Sequence, residues 1–488
     1  MNEFYTATDH FVLVPGLLLA LFGCAVLLID LFVDQTKTRK GICLLALLGQ
    51  VFVGTELIRQ QQFLTESDLL TLTAFHGAMT LDGTSLFFNW VFLIAATIVI
   101  LISYKYLEIE DENHGEYYGL ILLAQCGMFF LATGTELITL LVGLELMALS
   151  FYVMVGFLRT DRRSNEAAMK YLLLGAFSTG FLAYGFSILY GISGSTQLDV
   201  IAAAVKARDP FDPILLLAIG TVTVGLMFKI AAAPFHMWAP DAYEGAPTPI
   251  TAYLAVASKA ASFALLLRIF LGPLASARAA WEPLLVGVAV LSLTIGNLAA
   301  ISQTNTKRLL AYSSISHAGY ILLGLIAGTP AGIQGVGIYL LVYTVMTLGA
   351  FLVVIALRRK NVIGEDIADF AGLMHKSPGY AVLMLVFLLS LAGIPPTAGF
   401  IGKYYIFLGL IQSGKYGLAV IATLYVAVSI FYYFRIVRSM FLSEAADATP
   451  LSESAGLRVA LAFTGLVTLA IGIYPQPLLD YAQRTLLK

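Results

Sequence analysis

The sequence predicts an all-α polytopic membrane protein with about 14 transmembrane helices, containing two inverted five-helix repeats and two broken helices. Three observations lead to this fold class. Of the 488 residues, 59% are apolar and only 12% are charged, whereas a soluble domain carries about 25% charged residues. Long apolar runs recur along the chain, and proline and glycine interrupt two of them. The net charge of -2 gives no sign of a nucleic-acid partner.

Apolar runs long enough to cross a lipid bilayer define the predicted spans. A hydrocarbon core of about 30 Å needs about 20 helical residues. The runs of that length are 11–33, 41–58, 84–105, 116–133, 135–158, 165–190, 213–235, 248–272, 281–301, 307–327, 331–358, 378–411, 416–440 and 457–474. Between the second and third runs, Leu70, Leu72 and Ala74 alternate with threonines before His76 and Gly77. That pattern predicts a short extramembrane β-hairpin.

The basic residues predict the orientation of the chain. With the N-terminus outside, sixteen Lys and Arg residues fall at the cytoplasmic ends of the spans and eight at the outer ends. Lys and Arg are retained on the cytoplasmic side of membranes. We therefore expect an even number of spans, with both termini on the outer side of the membrane.

The four remaining lysines, Lys170, Lys229, Lys259 and Lys403, lie inside predicted spans, as does Glu145. A charge at the bilayer centre costs about 2.5–3.5 kcal/mol on insertion scales, so such residues usually face the protein interior and carry ions or protons. A structural ion pair or a snorkelling side chain is the alternative. This alternative is strongest for Lys170, which lies only five residues into its span and could extend its side chain to the interface.

Lysine suits proton transfer when its surroundings can change. Its ordinary pKa of about 10.4 is too high for ready proton release. Burial lowers a lysine pKa and a nearby carboxylate raises it. A lysine whose carboxylate partner can approach or withdraw is therefore a switchable proton site. We predict Glu145 and Lys229 as such a pair, with Lys170 as a second candidate partner for Glu145.

Two spans are predicted to be broken helices. Pro234 interrupts the seventh span after Lys229, and Pro395 and Pro396 interrupt the twelfth span before Lys403. Proline removes a helical hydrogen bond and clashes with the preceding turn. Unwound backbone at membrane depth is tolerated only against protein or a water-filled cavity. Both breaks therefore indicate a polar interior beside a lysine.

The spacing of the breaks predicts an internal repeat. Pro234 and Pro396 are 162 residues apart, and the fourth and ninth spans begin about 165 residues apart. Inverted repeats with broken helices at matching positions are typical of transporters. The predicted units are the N-terminal helices with the hairpin, the first repeat, the inverted second repeat and a C-terminal helix: 1–115, 116–272, 281–440 and 441–488.

Two histidines and two acids near the breaks are further candidates. A histidine titrates near neutral pH and can relay protons. His236 follows the first break, and proton relay and plain hydrogen-bonded packing are equally open as its role. His317 lies in a serine-rich patch of the tenth span, which favours relay or water contact. Asp241 and Glu244 lie in a proline-rich connector; we expect a structural role for them, with a place at a proton entrance as the alternative.

Several motifs resemble those of the antiporter-like, proton-pumping subunits of respiratory complex I, and the resemblance covers essentially the whole chain. The motifs are FKIAAAPFHMWAPDAYEGAPTP at residues 228–249, GLEL at 143–146 and KRLLAYSSISHAGY at 307–320. The segment GIPPTAGFIGKYYIF at 393–407 is similar to the N-type members of that family, which carry a lysine where M-type members carry a glutamate.

This resemblance implies specific roles for the buried residues. Glu145 and Lys229 would form the charge-modulating pair, Lys259 the central relay and Lys403 the connection towards the outer side. Water chains, with His236 or His317, would join them along an axis in the membrane plane.

The resemblance also implies partners. The chain would be a proton-translocating subunit that couples electron transfer from NADH to quinone to pumping. It would hold no cofactor, because NADH, FMN, iron–sulfur clusters and quinone would belong to partner subunits. Its neighbours would be other complex I subunits, especially the M-type and K-type membrane subunits, and the lipid bilayer.

Three other functions remain open. A subunit of a multi-subunit Na+/H+ antiporter shares the fold, so fold alone cannot exclude it. The second alternative is the membrane subunit of a hydrogenase or of a ferredoxin-driven complex I relative. A non-pumping scaffold is the third, and buried lysines argue against it because their insertion cost would serve no purpose.

Overall fold

Helices form nearly all of the regular structure. A computed structural model describes residues 5–33, 38–67, 69–359, 364–444, 451 and 453–486. The α-helices are α1 (Ala7–Asp30), α2 (Lys40–Glu66), α3 (Gly83–Glu110), α4 (Glu116–Thr133), α5 (Leu137–Val155), α6 (Arg162–Ser193), α7 (Leu198–Lys206), α8 (Pro213–Lys229), α9 (Trp238–Gly245), α10 (Thr248–Tyr253), α11 (Lys259–Phe270), α12 (Arg278–Ile301), α13 (Thr306–Ala327), α14 (Pro330–Leu357), α15 (Leu373–Lys376), α16 (Pro378–Ala392), α17 (Ala398–Gln412), α18 (Tyr416–Leu442), α19 (Ala455–Ile473) and α20 (Gln476–Leu486). Lys37, Lys360 and Lys488, which contribute to the predicted orientation, lie outside the described residues.

The all-α polytopic prediction is confirmed. Among the described residues, twelve helices are long and apolar enough to cross a membrane. The helices α8 and α16 are apolar but shorter, and each continues beyond a break. The count of fourteen spans remains a prediction. The surface helix α7 and the final helix α20 are additions that the sequence analysis did not foresee, so the 441–488 segment contains two described helices and not one.

The short hairpin is also confirmed. Strand β1 (Thr71–Ala74) pairs antiparallel with β2 (Met79–Asp82), with Leu72 opposite Leu81. A 3-10 turn over Phe75–Gly77 joins them, and His76 adopts a left-handed conformation there with φ of 53°. The hairpin faces the first turn of α1, where the Phe75 backbone N–H donates to the Asp9 carboxylate.

Both predicted helix breaks are present. The helix α8 ends at Lys229, and α9 begins only at Trp238. The helix α16 ends at Ala392, where Gly393 takes a φ of 82°, and α17 begins at Ala398. Each break follows from proline, which has no N–H to continue the helical ladder. Each leaves the carbonyl groups of a helix end without their helical partners inside the protein.

The centre of the molecule is the continuous helix from Thr248 to Phe270, the most deeply buried of the candidate spans. It consists of α10, a π-helical turn over Leu254–Ser258 and α11. The helices α13 and α14 are nearly as buried, whereas α18 and α19 lie at the periphery. The most extensive helix contacts join α4 to α5, α6 to α8, α12 to α13 and α14 to α17. Two copies of one unit would pair their helices in this way, and the repeat boundaries remain predictions.

Candidate functional site

The first part of the site depends on the close approach of α6 and α8. A Cβ atom on Gly185 would lie 2.6 Å from Val222 Cγ2, and one on Gly225 would lie 2.7 Å from Leu182 Cβ. Only a residue without a side chain fits at such contacts, and small residues generally allow membrane helices to pack closely. The close approach lets a short side chain on α6 reach the end of α8.

Glu145, Thr179 and Lys229 form a cluster where α5, α6 and α8 meet. The Thr179 hydroxyl donates to Glu145 Oε1 at 2.7 Å and accepts from Lys229 Nζ at 3.2 Å. Lys229 Nζ lies 4.0 Å from Glu145 Oε1, and the two side chains are 4% and 33% exposed. Lys229 is the last residue of α8, where the negative end of the helix dipole favours a cation. The structure thus brings the predicted pair together, with a hydroxyl between its charges.

Lys259 lies in the middle of the buried central helix. It directly follows the π-helical turn, and such turns occur frequently at functional sites. Its Nζ donates to the backbone carbonyl of Ser314 at 2.6 Å and lies 5.8 Å from the centre of the Tyr343 ring. Its side chain forms no ion pair with a carboxylate among the described residues. A carbonyl dipole and a ring face therefore stabilise this ammonium group.

His317 stands between Lys259 and Lys403, within a cluster of four tyrosines. Its Nδ1 bonds Tyr339 Oη at 2.6 Å and its Nε2 bonds Tyr433 Oη at 3.2 Å. Its ring centre lies 5.1 Å from that of Tyr343 and 6.3 Å from that of Tyr320. Tyr343 is the ring beside Lys259, and Tyr320 is the ring beside Lys403.

Lys403 takes its acceptors from the second helix break. Its Nζ donates to the carbonyl groups of Leu391 at 3.1 Å and Ala392 at 2.8 Å, the last two residues of α16. It also lies 4.9 Å from the centre of the Tyr320 ring. Because α16 ends there, these carbonyls lack helical donors and can accept from an ammonium group. The break and the buried lysine thus belong to one arrangement.

Lys170 has partners other than Glu145. Its Nζ lies 2.8 Å from both Asp241 Oδ2 and Glu166 Oε1, and its side chain is 45% exposed. Arg308 bonds Asp241 at 2.7 Å and Glu244 at 2.9 Å. These residues line a cleft of about 200 Å³ between α6, α9 and α13. Lys170 therefore belongs to a surface network, together with the two acids for which a structural role is predicted.

His236 is placed within the first break. Its side chain is partly buried, and its Nδ1 atom is buried without a hydrogen-bond partner among the described residues. Among the described residues, no ion pair or side-chain hydrogen bond joins His236 to the buried lysines. The structure thus leaves its predicted relay role as a prediction.

Sequence reasoning missed the neutral groups of the site. Thr179 lies in a run of polar and small residues on α6, and threonines on helices usually bond their own backbone. Tyr320, Tyr339, Tyr343 and Tyr433 come from three helices, so sequence spacing cannot gather them around His317. Tyr320, the last residue of the KRLLAYSSISHAGY motif, was the available signal, but the sequence analysis considered charged residues first.

Comparisons with known proteins place the chain among relatives of one kind. The family described as NADH:quinone oxidoreductase/Mrp antiporter, transmembrane, matches residues 134–429. The NADH-quinone oxidoreductase subunit N 2 of Solibacter usitatus is 66% identical over 487 residues, which is 99% of each chain.

Solved structures share the fold. A chain of respiratory complex I from Thermus thermophilus, solved with bound aureothin, is 34% identical with a TM-score of 0.79, over 96% of this chain and 100% of that one. A chain of the Mrp complex from Dietzia is 21% identical with a TM-score of 0.81, over 98% and 97%. The second likeness shows the fold alone.

Proposed function

We propose that this chain translocates protons as an N-type membrane subunit of NADH:quinone oxidoreductase. The chain belongs to the NADH:quinone oxidoreductase/Mrp antiporter transmembrane family. Electron transfer from NADH to quinone would drive the pumping. The observation that carries the proposal is the series of buried basic groups that runs from Lys229 to Lys259, His317 and Lys403.

Each group in the series has a neighbour that can hold or pass a proton. Glu145 and Lys229 share the Thr179 hydroxyl, so a proton shift at either end changes the charge felt at the other. His317 has tyrosine hydroxyls on both ring nitrogens, which lets one nitrogen donate while the other accepts. We assign Glu145 and Lys229 to the modulating pair, Lys259 to the central relay and Lys403 to the connection towards the outer side.

The other candidate residues receive subordinate roles in this proposal. Water would link Lys229 to Lys259, because no hydrogen bond joins the two among the described residues. His236, in the first break, is a candidate contact for that water. Lys170 would act through the surface network with Asp241.

The redox groups belong to partners in this proposal. NADH, FMN, iron–sulfur clusters and quinone would be bound by other subunits, and the M-type and K-type membrane subunits would flank this chain. Glu145, one-third exposed in the isolated chain, would then face a neighbouring subunit. The membrane would be the bacterial inner membrane, with both termini on its outer side.

The test uses the whole complex reconstituted in proteoliposomes. Lys229→Ala and Lys259→Ala should each lower the rate of proton pumping by at least roughly tenfold, since a positioned acid–base group speeds proton transfer by about 10²–10⁴-fold. Lys105→Ala is the matched control, because Lys105 forms an exposed pair with Glu108. Wild-type pumping by both interior variants, in complexes that assemble normally, would contradict the proposal.

A further inference from the structure

A buried ion pair at the start of α13 has no role in the path described so far. Lys307, the second residue of α13, places its Nζ 3.0 Å from Glu365 Oε1, and the two side chains are 2% and 9% exposed. Burial of charge is costly, and the amino end of a helix disfavours a cation. Helix formation and burial therefore do not account for Lys307, so its contacts with other elements must explain it.

The first of these contacts connects α13 to the central helix. Lys307 Nζ donates to the backbone carbonyl of Ala246 at 2.7 Å. Ala246 directly follows α9, and the central helix begins two residues later at Thr248. One buried ammonium group thus ties the first turn of α13 to the start of the helix that carries Lys259.

The second contact, with Glu365, reaches the segment that leads to the second helix break. The Thr306 N–H donates to the Glu365 carbonyl at 2.7 Å. The Ile367 N–H donates to the Thr304 carbonyl at 2.9 Å. This short antiparallel pairing holds the chain before α15 against the start of α13. That chain continues into α16, whose last carbonyls accept from Lys403.

The position of α13 along the central helix matters for the path. Lys259 Nζ donates to the Ser314 carbonyl of α13 at 2.6 Å. Ser314 lies seven residues after Lys307, which is about 10.5 Å along the helix. A shift of α13 by the rise of one residue, about 1.5 Å, would move this carbonyl by more than half the length of its bond. His317, on the same helix, would move with it.

We propose that Lys307, held by Glu365, is a positioning residue that keeps α13 in register with the central helix. This register brings the Ser314 carbonyl to Lys259 and His317 to its place beyond it. Specification of register is the best-attested role of buried polar groups. The inference rests on the proposed function, because it concerns the transfer from Lys259 towards His317. The ion pair itself carries no proton along the path.

The first test is Lys307→Met, which keeps the length of the side chain and removes its ammonium group. In proteoliposomes, the pumping rate per assembled complex should fall roughly fivefold, since a 1 Å misplacement in a reacting site can cost about 10²-fold. The solvent deuterium isotope effect on pumping should rise, because the transfer at Lys259 becomes limiting. A purely structural role would lower the amount of assembled complex and leave the isotope effect unchanged. Lys307→Arg, which retains the charge and its donors, should recover most of the rate.

Combination with Lys259→Ala tests whether Lys307 acts through Lys259. Substitutions that affect one step are not additive, whereas independent ones are. We expect Lys307→Met/Lys259→Ala to pump no more slowly than Lys259→Ala alone. A further fivefold loss in the double variant would show that Lys307 acts independently of Lys259 and would overturn the inference.

A neutral pair guards against a folding defect. Lys307→Met leaves Glu365 without its partner, and an unpaired buried charge is strongly destabilising. Lys307→Met/Glu365→Gln removes both charges, so it should assemble and still pump slowly with a raised isotope effect. The matched control is Arg39→Met/Asp30→Asn, which neutralises a pair between the ends of α1 and α2 whose side chains are 4% and 10% exposed. Its rate per assembled complex should be unchanged.

The outcomes separate the two levels of the proposal. Wild-type pumping by Lys259→Ala would overturn the proposed function, and this inference with it. Loss of pumping in Lys259→Ala, with a wild-type rate and isotope effect in Lys307→Met/Glu365→Gln, would overturn the inference alone. Failure of both Lys307→Met variants to assemble would also overturn it, because the ion pair would then serve folding.

Discussion

The three interior lysines differ in what stabilises their charge. Lys229 has a carboxylate 4.0 Å away, whereas Lys259 relies on one backbone carbonyl and Lys403 on two. A carboxylate can gain or lose its own charge, and a carbonyl cannot. The first lysine is therefore the one whose charge another group can control, and in the proposed path the later lysines would receive the proton that it releases.

Thr179 offers the sharpest test of this control. Thr179→Val keeps the shape of the side chain and removes the hydroxyl that joins Glu145 to Lys229. A hydrogen bond to a charged group is worth about 1.5–3 kcal/mol, so we expect pumping to fall at least roughly fivefold. The measurement is proton translocation per NADH oxidised by the reconstituted complex.

Thr223→Val provides the control for this substitution. Thr223 is a buried threonine on α8, and its hydroxyl bonds only the Ile219 carbonyl of its own helix. We expect normal pumping from it. If both valine variants pump alike, the Thr179 hydroxyl does not couple the pair.

At the residue scale, the charged residues of the site could be predicted from the sequence, but the neutral side chains that bind them could not. Lys229, Lys259 and Lys403 stand out because a charge inside an apolar span is rare. Thr179 looks like any other helical threonine until the approach of α6 and α8 brings it to Lys229. Lys170 shows the converse: its position in the sequence suggested burial, and its two acidic partners hold it at the surface.

At the scale of elements, each broken helix combines a structural and a chemical role. The ends of α8 and α16 place helix carbonyl groups at the interior of the protein. Lys229 sits at the end of α8, and Lys403 reaches back from α17 to the end of α16. Cations favour the carboxyl ends of helices. A continuous helix would remove the acceptors of Lys403 while keeping the lysine in place.

The second break depends on the contact between α17 and α16 at Gly399. A Cβ atom there would lie 1.8 Å from the Ser390 carbonyl oxygen, a backbone atom that cannot turn away. Overpacking of this kind costs about 1–3 kcal/mol or more, so we expect Gly399→Ala to lower the amount of assembled complex several-fold. Quantification of intact complex on native gels provides the measurement.

Gly379→Ala is the matched control on α16. A Cβ atom at Gly379 would meet nothing within 4 Å, so assembly should be unchanged. Normal assembly of Gly399→Ala would mean that the break tolerates a wider separation of its two helices.

The breaks themselves could be predicted from sequence because proline acts locally. The π-helical turn before Lys259 could not, since Leu254–Ser258 contains neither proline nor glycine and its geometry arises from packing in the protein interior. The hairpin was predictable because its residues alternate. The helices α7 and α20 escaped notice because they are too short to resemble spans.

At the scale of the whole molecule, different elements lie at the two faces where the membrane-spanning helices end. The hairpin, the start of α1 and the end of α20 share one face, where Asp9 contacts Phe75 and Gly83 packs against Thr485. The opposite face holds the cleft and the buried pair of Lys307 and Glu365. The two ends of the described chain thus lie on the same side, as an even number of spans requires.

The excess of basic residues predicts that the cleft face is cytoplasmic, and single cysteines can test this. Lys206, at the end of α7, lies on the hairpin side, whereas Ser443, after α18, lies on the cleft side; both are exposed. A membrane-impermeant maleimide should label Lys206→Cys in intact spheroplasts and Ser443→Cys only in inverted vesicles. The unsubstituted chain corrects for Cys24, the exposed native cysteine among the described residues. The reverse pattern would place the cleft on the outer face and would contradict the orientation predicted from the basic residues.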